Sequence, residues 1–82
     1  MKPTVGRIVH YVSYGTPGGE YTSECRAAII TSVSESLVVP AHGVPYVDLC
    51  VLNPTGIFFN HDVYYNETNS GGTWHWPELV VE

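Results

Sequence analysis

Cations are what this sequence has least of. Lys2, Arg7 and Arg26 are the only three in 82 residues, set against eight acids for a formal net charge of −5 at pH 7. A duplex-binding surface displaces phosphate counterions with several clustered cations, so three scattered ones exclude a general nucleic-acid polymer as partner. Charge of either sign is scarce as well: 13 % of residues are charged, about half the usual share of roughly 25 %. A surface this sparsely charged points to a homo-oligomer. Long apolar runs are also missing, since none reaches the length of a signal-peptide core or a membrane span. The expectation is a soluble, intracellular protein with no membrane partner.

Local metal and nucleophile signatures are absent too. The four histidines (His10, His42, His61, His75) and two cysteines (Cys25, Cys50) form no CxxC, HxxxH or HExxH pair, so a metal site would have to assemble from distant segments. No metal ligand and no cofactor is expected. Cys25 and Cys50 sit in apolar, strand-like surroundings and read as buried reduced thiols. A cysteine or histidine hydrolase lacks any nucleophile elbow, and "GTPGGE" at 15 to 20 lacks the pattern and following helix of a phosphate loop. No catalytic residue is assigned.

Helical periodicity is the last thing missing, and what is present instead is strand chemistry broken at short intervals. Residues 4 to 14, "TVGRIVHYVSY", alternate with Val5, Arg7, Val9 and Tyr11 on one face and Ile8, His10, Val12 and Tyr14 on the other. "ECRAAIITSV" at 24 to 33 is a second strand. "VDLCVLN" at 47 to 53 is a third, with Val47, Leu49 and Val51 inward. "NPTG" at 53 to 56 is a tight turn leading to a returning strand, "IFFN", at 57 to 60. The polar stretch 61 to 72 reads as a loop, with "FNHD" as turn chemistry at a strand end, and "TWHW" is a short final strand. Residues 34 to 46 hold Pro40 and Pro45, which lack ladder donors, and read as a structured loop over a barrel mouth or against a neighbouring chain. The predicted fold is all-β, a single domain over 1 to 82. It is a small closed or partly open barrel of about five strands, Src-homology-3-like, with the last strand closing against the first.

Binding suits this inventory better than catalysis. Alternation puts Trp74 and Trp76 on one side of the final strand, with Trp74 as the core candidate and Trp76 at the rim. Six tyrosines, two tryptophans and two phenylalanines supply flat contact area, and arginines supply planar bidentate contacts to phosphate or carboxylate. The candidate ligand-binding residues are therefore Arg7, Tyr11, Tyr14, Arg26, Trp74 and Trp76. The aromatic ones would stack a base and the arginines would meet phosphate.

The segments "KPTVGRIVHY", "SYGTPGGEY", "ECRAAIIT", "LCVLNPTGIFFN" and "GGTWHWPE" together resemble a family of short uncharacterised bacteriophage and prophage proteins. Its members begin with a PTVGRIVHY strand and end in TWHWPE. The resemblance implies a viral accessory protein in the cytoplasm of the infected bacterial host, non-enzymatic and acting by occupancy. Sequestration of a small nucleotide-like ligand, such as a bacterial immune signal, is the first expectation. The second is a protein-interaction or virion-structural module that docks through "LVVPAHGVP" and neighbouring uncharged surface.

Overall fold

The computed structural model describes residues 2–15, 22–34, 43–68 and 70–78. Five strands form a closed barrel: β1 (Ile8–Val12), β2 (Cys25–Val33), β3 (Val47–Asn53), β4 (Gly56–Tyr65) and β5 (Thr73–His75). Neighbours in sequence are neighbours in space. The first four form an antiparallel meander, and β5 runs antiparallel to β1 and parallel to β4. The last strand therefore closes against the first, as the sequence suggests. Among the described residues no helix is long and apolar enough to cross a membrane.

Alternation within each strand decides what lies inside. Val9 and Tyr11 of β1, Ala28 and Ile30 of β2, Val47, Leu49 and Val51 of β3, Val63 of β4 and Trp74 of β5 make the core. Trp74 is 0 % exposed and lies edge-on to Tyr65 and Trp76, at centroid distances of 5.0 and 5.3 Å. Its indole fills the barrel end where β5 is only three residues long, and the area it buries compensates for that short ladder.

Two elements differ from the sequence reading. The first strand is shorter than 4 to 14, because Gly6 at φ 91° bends the chain at Val5–Gly6 and its N–H is donated to the Ile30 carbonyl. The fourth is longer than 57 to 60. It continues through His61 and Asp62 as a bulge, where the β3 register jumps from Leu49↔Asn60 to Val47↔Val63. Asp62 takes a positive φ of 53° there, and the Asp48 carboxylate accepts its N–H at 2.9 Å. "FNHD" is thus a side-chain-locked bulge inside a strand rather than turn chemistry at its end. A second bulge at Thr31 lets β2 place both Ile30 and Val33 toward the core.

Most of the two loops expected at 15 to 20 and 34 to 46, including His42 and most of "LVVPAHGVP", lies outside the described residues.

Candidate functional site

The six candidate ligand residues do not converge. Tyr11 is cross-strand partner to both Arg26 and Trp74, so these three share the interior face at one end of β1. Arg7 sits at the other end, beside Ile30. Four strand residues at ~3.3 Å each put the two arginines about 13 Å apart along β1. Each has its own partner: Arg26 pairs Glu24 at 3.0 Å, and the Arg7 guanidinium lies 6.0 Å from the Trp76 ring centre. Trp74 has no surface to offer a ligand. Trp76 is half-buried against the core under Arg7, so its free face is reduced.

Tyr11 and Tyr14 do meet, at an open cleft of about 410 Å³ that also involves Asn60, His61, Asp62 and Gly72. The glycine pair of "GGTWHWPE" explains the placement of Tyr14. Gly72 has φ 83°, and a Cβ on it would collide with the Tyr14 hydroxyl, while one on Gly71 would come within 2.9 Å of the same ring. No arginine or lysine is among the residues lining the cleft, and Asp62 adds negative charge. Burial pushes the Tyr11 hydroxyl above its ordinary range, with the Tyr14 hydroxyl acting the same way and a hydrogen bond to Asn60 opposing both. It is therefore a neutral donor at any working pH. With Asp62 beside it and no arginine or lysine, the cleft suits a flat uncharged or cationic group better than a phosphate.

A larger feature lies on the outside of the barrel. Register aligns Ile8, Ile29, Cys50 and Phe59 in one row across β1 to β4, and His10, Ala27, Leu52 and Ile57 in the next. Ile8 is 62 % exposed, Ile57 61 % and Phe59 68 %, with Leu52 and Tyr64 also exposed. Among the described residues β5 pairs with β4 only at Tyr64 and Tyr65. Among the described residues, the Ile57–Asn60 stretch of β4 therefore has a ladder partner on its β3 side alone. The barrel thus carries an apolar strip ending at a strand edge.

A third cluster sits on the same outer face. His10 faces His75 across the β1–β5 ladder, with the rings edge-on at 5.3 Å. Cys25 Sγ is 3.7 Å from His75 Nε2, which lies 3.2 Å from a Glu78 carboxylate oxygen. The other Glu78 oxygen is 3.5 Å from His10 Nδ1. That last separation is an ion-pair distance without hydrogen-bond geometry, and the buried His10 Nδ1 makes no hydrogen bond. Cys25 is exposed and Cys50 half-buried, both reduced, so the deep burial expected of Cys25 is not found. Burial of the sulfur, and secondarily Glu78, raises the Cys25 thiol above its ordinary value. Glu78 is held below the usual carboxylate value, first by a hydrogen bond from its own backbone N–H and then by His75 and His10.

These four residues do not make a nucleophilic triad. In a triad the acid grips one imidazole nitrogen while the other faces the nucleophile. Here thiol and carboxylate meet the same nitrogen, Nε2 of His75, and the thiol is biased toward its protonated form. Sequence reasoning missed the grouping because positions 10, 25 and 75 come together only through strand register. The one local signal was the i, i+3 spacing of His75 and Glu78 around Pro77. No protein-family model, curated protein or solved structure matches this chain at a significant level.

Proposed function

We propose that this barrel is a non-enzymatic interaction module that assembles with copies of itself through the outer face of β1 to β4 and the edge of β4. The apolar strip from Ile8 to Phe59, reaching the strand edge at Ile57–Asn60, carries this reading. Exposed apolar strand edges are what soluble monomers normally cover or charge. Aromatic side chains such as Phe59 and Tyr64 present ~150–250 Å² when fully free, and isoleucines less. Ile8, Ile57, Phe59 and their neighbours therefore amount to roughly 500 Å², at the upper end of the ~300–600 Å² typical of the largest patch on a monomer. Two such faces in contact reach about 1,000 Å², the lower bound of a specific interface. The strip residues Ile8, Ile29, Cys50, Phe59, Ala27, Leu52 and Ile57 carry no charge, so repulsion from the chain's net charge of −5 acts only from outside the contact. The resemblance to phage and prophage proteins adds a setting, a viral accessory protein acting by occupancy in an infected bacterium.

The cleft at Tyr11 and Tyr14 supports a second, smaller reading as a binder of a flat ligand. Its lack of cations favours a nucleobase or other uncharged aromatic over a nucleotide phosphate.

Sedimentation velocity across a hundredfold concentration range tests the assembly reading. The native chain is expected to shift from monomer to a defined oligomer, and Phe59→Glu to remain monomeric with an unchanged circular dichroism spectrum. A native chain that stays monomeric throughout would refute it.

A further inference from the structure

The cluster of His10, Cys25, His75 and Glu78 lies at the β1–β5 margin of that outer face, and its chemistry is specific. We propose that these four side chains form a tetrahedral site for a zinc-class divalent cation, which staples the seam where β5 closes the barrel.

The fold brings the four donors together in three steps. The β1–β5 ladder sets His10 directly opposite His75. Cys25 stands two positions along β2 from Ala27, the cross-strand partner of His10. Because side chains repeat every second residue, the sulfur emerges on the same outer face, diagonal to His10. Pro77 then ends β-pairing, and the chain carries Glu78 back over His75. The sulfur and the imidazole nitrogens of His10, Cys25 and His75 all lie within 4.8 Å of one another.

The spacing approaches that of a coordination shell. Metal–sulfur bonds of ~2.3 Å and metal–nitrogen or metal–oxygen bonds of ~2.0–2.2 Å, arranged tetrahedrally, put donor atoms about 3.3–3.6 Å apart. The observed contacts are 3.7 Å for Cys25 to His75, 3.2 Å from His75 to one Glu78 oxygen and 3.5 Å from His10 to the other, so on binding Glu78 turns one oxygen toward the centre and the three remaining donors draw in from within 4.8 Å. Hydrogen bonding satisfies this arrangement poorly. Nε2 of His75 faces both the thiol and the carboxylate but carries at most one proton, and His10 Nδ1 is buried beside Glu78 without a hydrogen bond. One cation at the centre takes a lone pair from each of the four. His75 is only 4 % exposed, so its ring is already fixed. A cleft of about 230 Å³ bordered by His75, Trp76, Glu78, Tyr65 and Glu67 gives a path in.

The donor set selects the cation. One thiolate, two imidazoles and one carboxylate suit zinc, whereas calcium and magnesium take all-oxygen shells. On binding, the Cys25 thiol gives its proton to solvent and the sulfur bonds to the metal; no redox change occurs. The mechanical consequence follows from the topology. β5 has two register pairs with β1 and two with β4, so a metal that joins β1, β2 and the end of β5 reinforces the weakest closure in the barrel.

The test uses the untagged native chain, stripped with a chelator and titrated with Co²⁺ and then Zn²⁺. One equivalent of Co²⁺ should produce a thiolate-to-metal charge-transfer band that Zn²⁺ abolishes, and Zn²⁺ should raise the melting temperature. Cys25→Ser should eliminate the band and weaken Zn²⁺ binding beyond the ~10–100-fold typical of losing an outer partner. Cys50→Ser should leave both intact. In the unmutated protein, Zn²⁺ should also protect Cys25 but not Cys50 from alkylation, read by mass spectrometry. Absence of the band, its survival in Cys25→Ser, its loss in Cys50→Ser, or equal alkylation of Cys25 with and without Zn²⁺ would each overturn the site.

Discussion

Replacing Trp74 and Trp76 separately by alanine should separate a core residue from one that shields it. At roughly 0.05–0.15 kcal/mol per residue, 82 residues give a total stability of about 4–12 kcal/mol. Trp74 is wholly buried and edge-on to both Tyr65 and Trp76. Truncating a buried tryptophan costs ~3–5 kcal/mol, and two edge-to-face contacts at ~0.5–1.5 kcal/mol each favour the upper part of that range. Trp76 loses one of those contacts, partial burial and the Arg7 guanidinium over its ring, together about 1–2 kcal/mol. For a domain this small ~1 kcal/mol moves the melting temperature by about 4–8 °C. Trp74→Ala should therefore fall by roughly 12–40 °C and Trp76→Ala by roughly 4–16 °C. Urea melts followed by circular dichroism at low protein concentration provide the independent free energies. Equal costs for the two substitutions, or less than ~1 kcal/mol for Trp74→Ala, would refute the assignment of Trp74 as the indole that fills the barrel end.

Three other outcomes follow from particular contacts. Asp48 has its carboxylate held below the usual range, chiefly by the Asp62 N–H and secondarily by His61, with burial opposing. A lowered folded value means stability that is present above ~pH 4 and lost as pH falls through that folded value. The acid limb of a stability–pH curve should flatten in Asp48→Asn. Gly72→Ala should destabilise both by forcing alanine to a φ of 83° and by displacing Tyr14. Adding Tyr14→Ala should recover only the second part, as a double-mutant cycle of thermal melts would show. Arg26→Gln should leave assembly unchanged in sedimentation, since Arg26 faces the interior and pairs Glu24 rather than lying on the outer strip.

Strand chemistry was legible because it is local. Val47, Leu49 and Val51 alternate cleanly and face inward as read. The turn at "NPTG" and the pairing of both tryptophans on one side also follow from neighbouring residues. The bulge at His61–Asp62 was not legible, because it depends on an aspartate fourteen positions away that accepts one backbone N–H. Missing that bulge ended the fourth strand five residues early and turned the stretch that pairs with β5 into loop. The dispersal of the candidate ligand residues has a related reason. Arg7 and Arg26 looked like one phosphate pair in composition, yet register places them at opposite ends of β1. The same register gathers His10, Cys25 and His75, which no spacing rule connects.

Hydrogen exchange of the β4 backbone at two protein concentrations tests the assembly most directly. If copies of the barrel cover one another through this edge, the amides of Ile57, Phe58 and Phe59 should exchange more slowly in concentrated than in dilute protein. Exchange at Ile57–Phe59 that is independent of concentration would contradict the proposed interface.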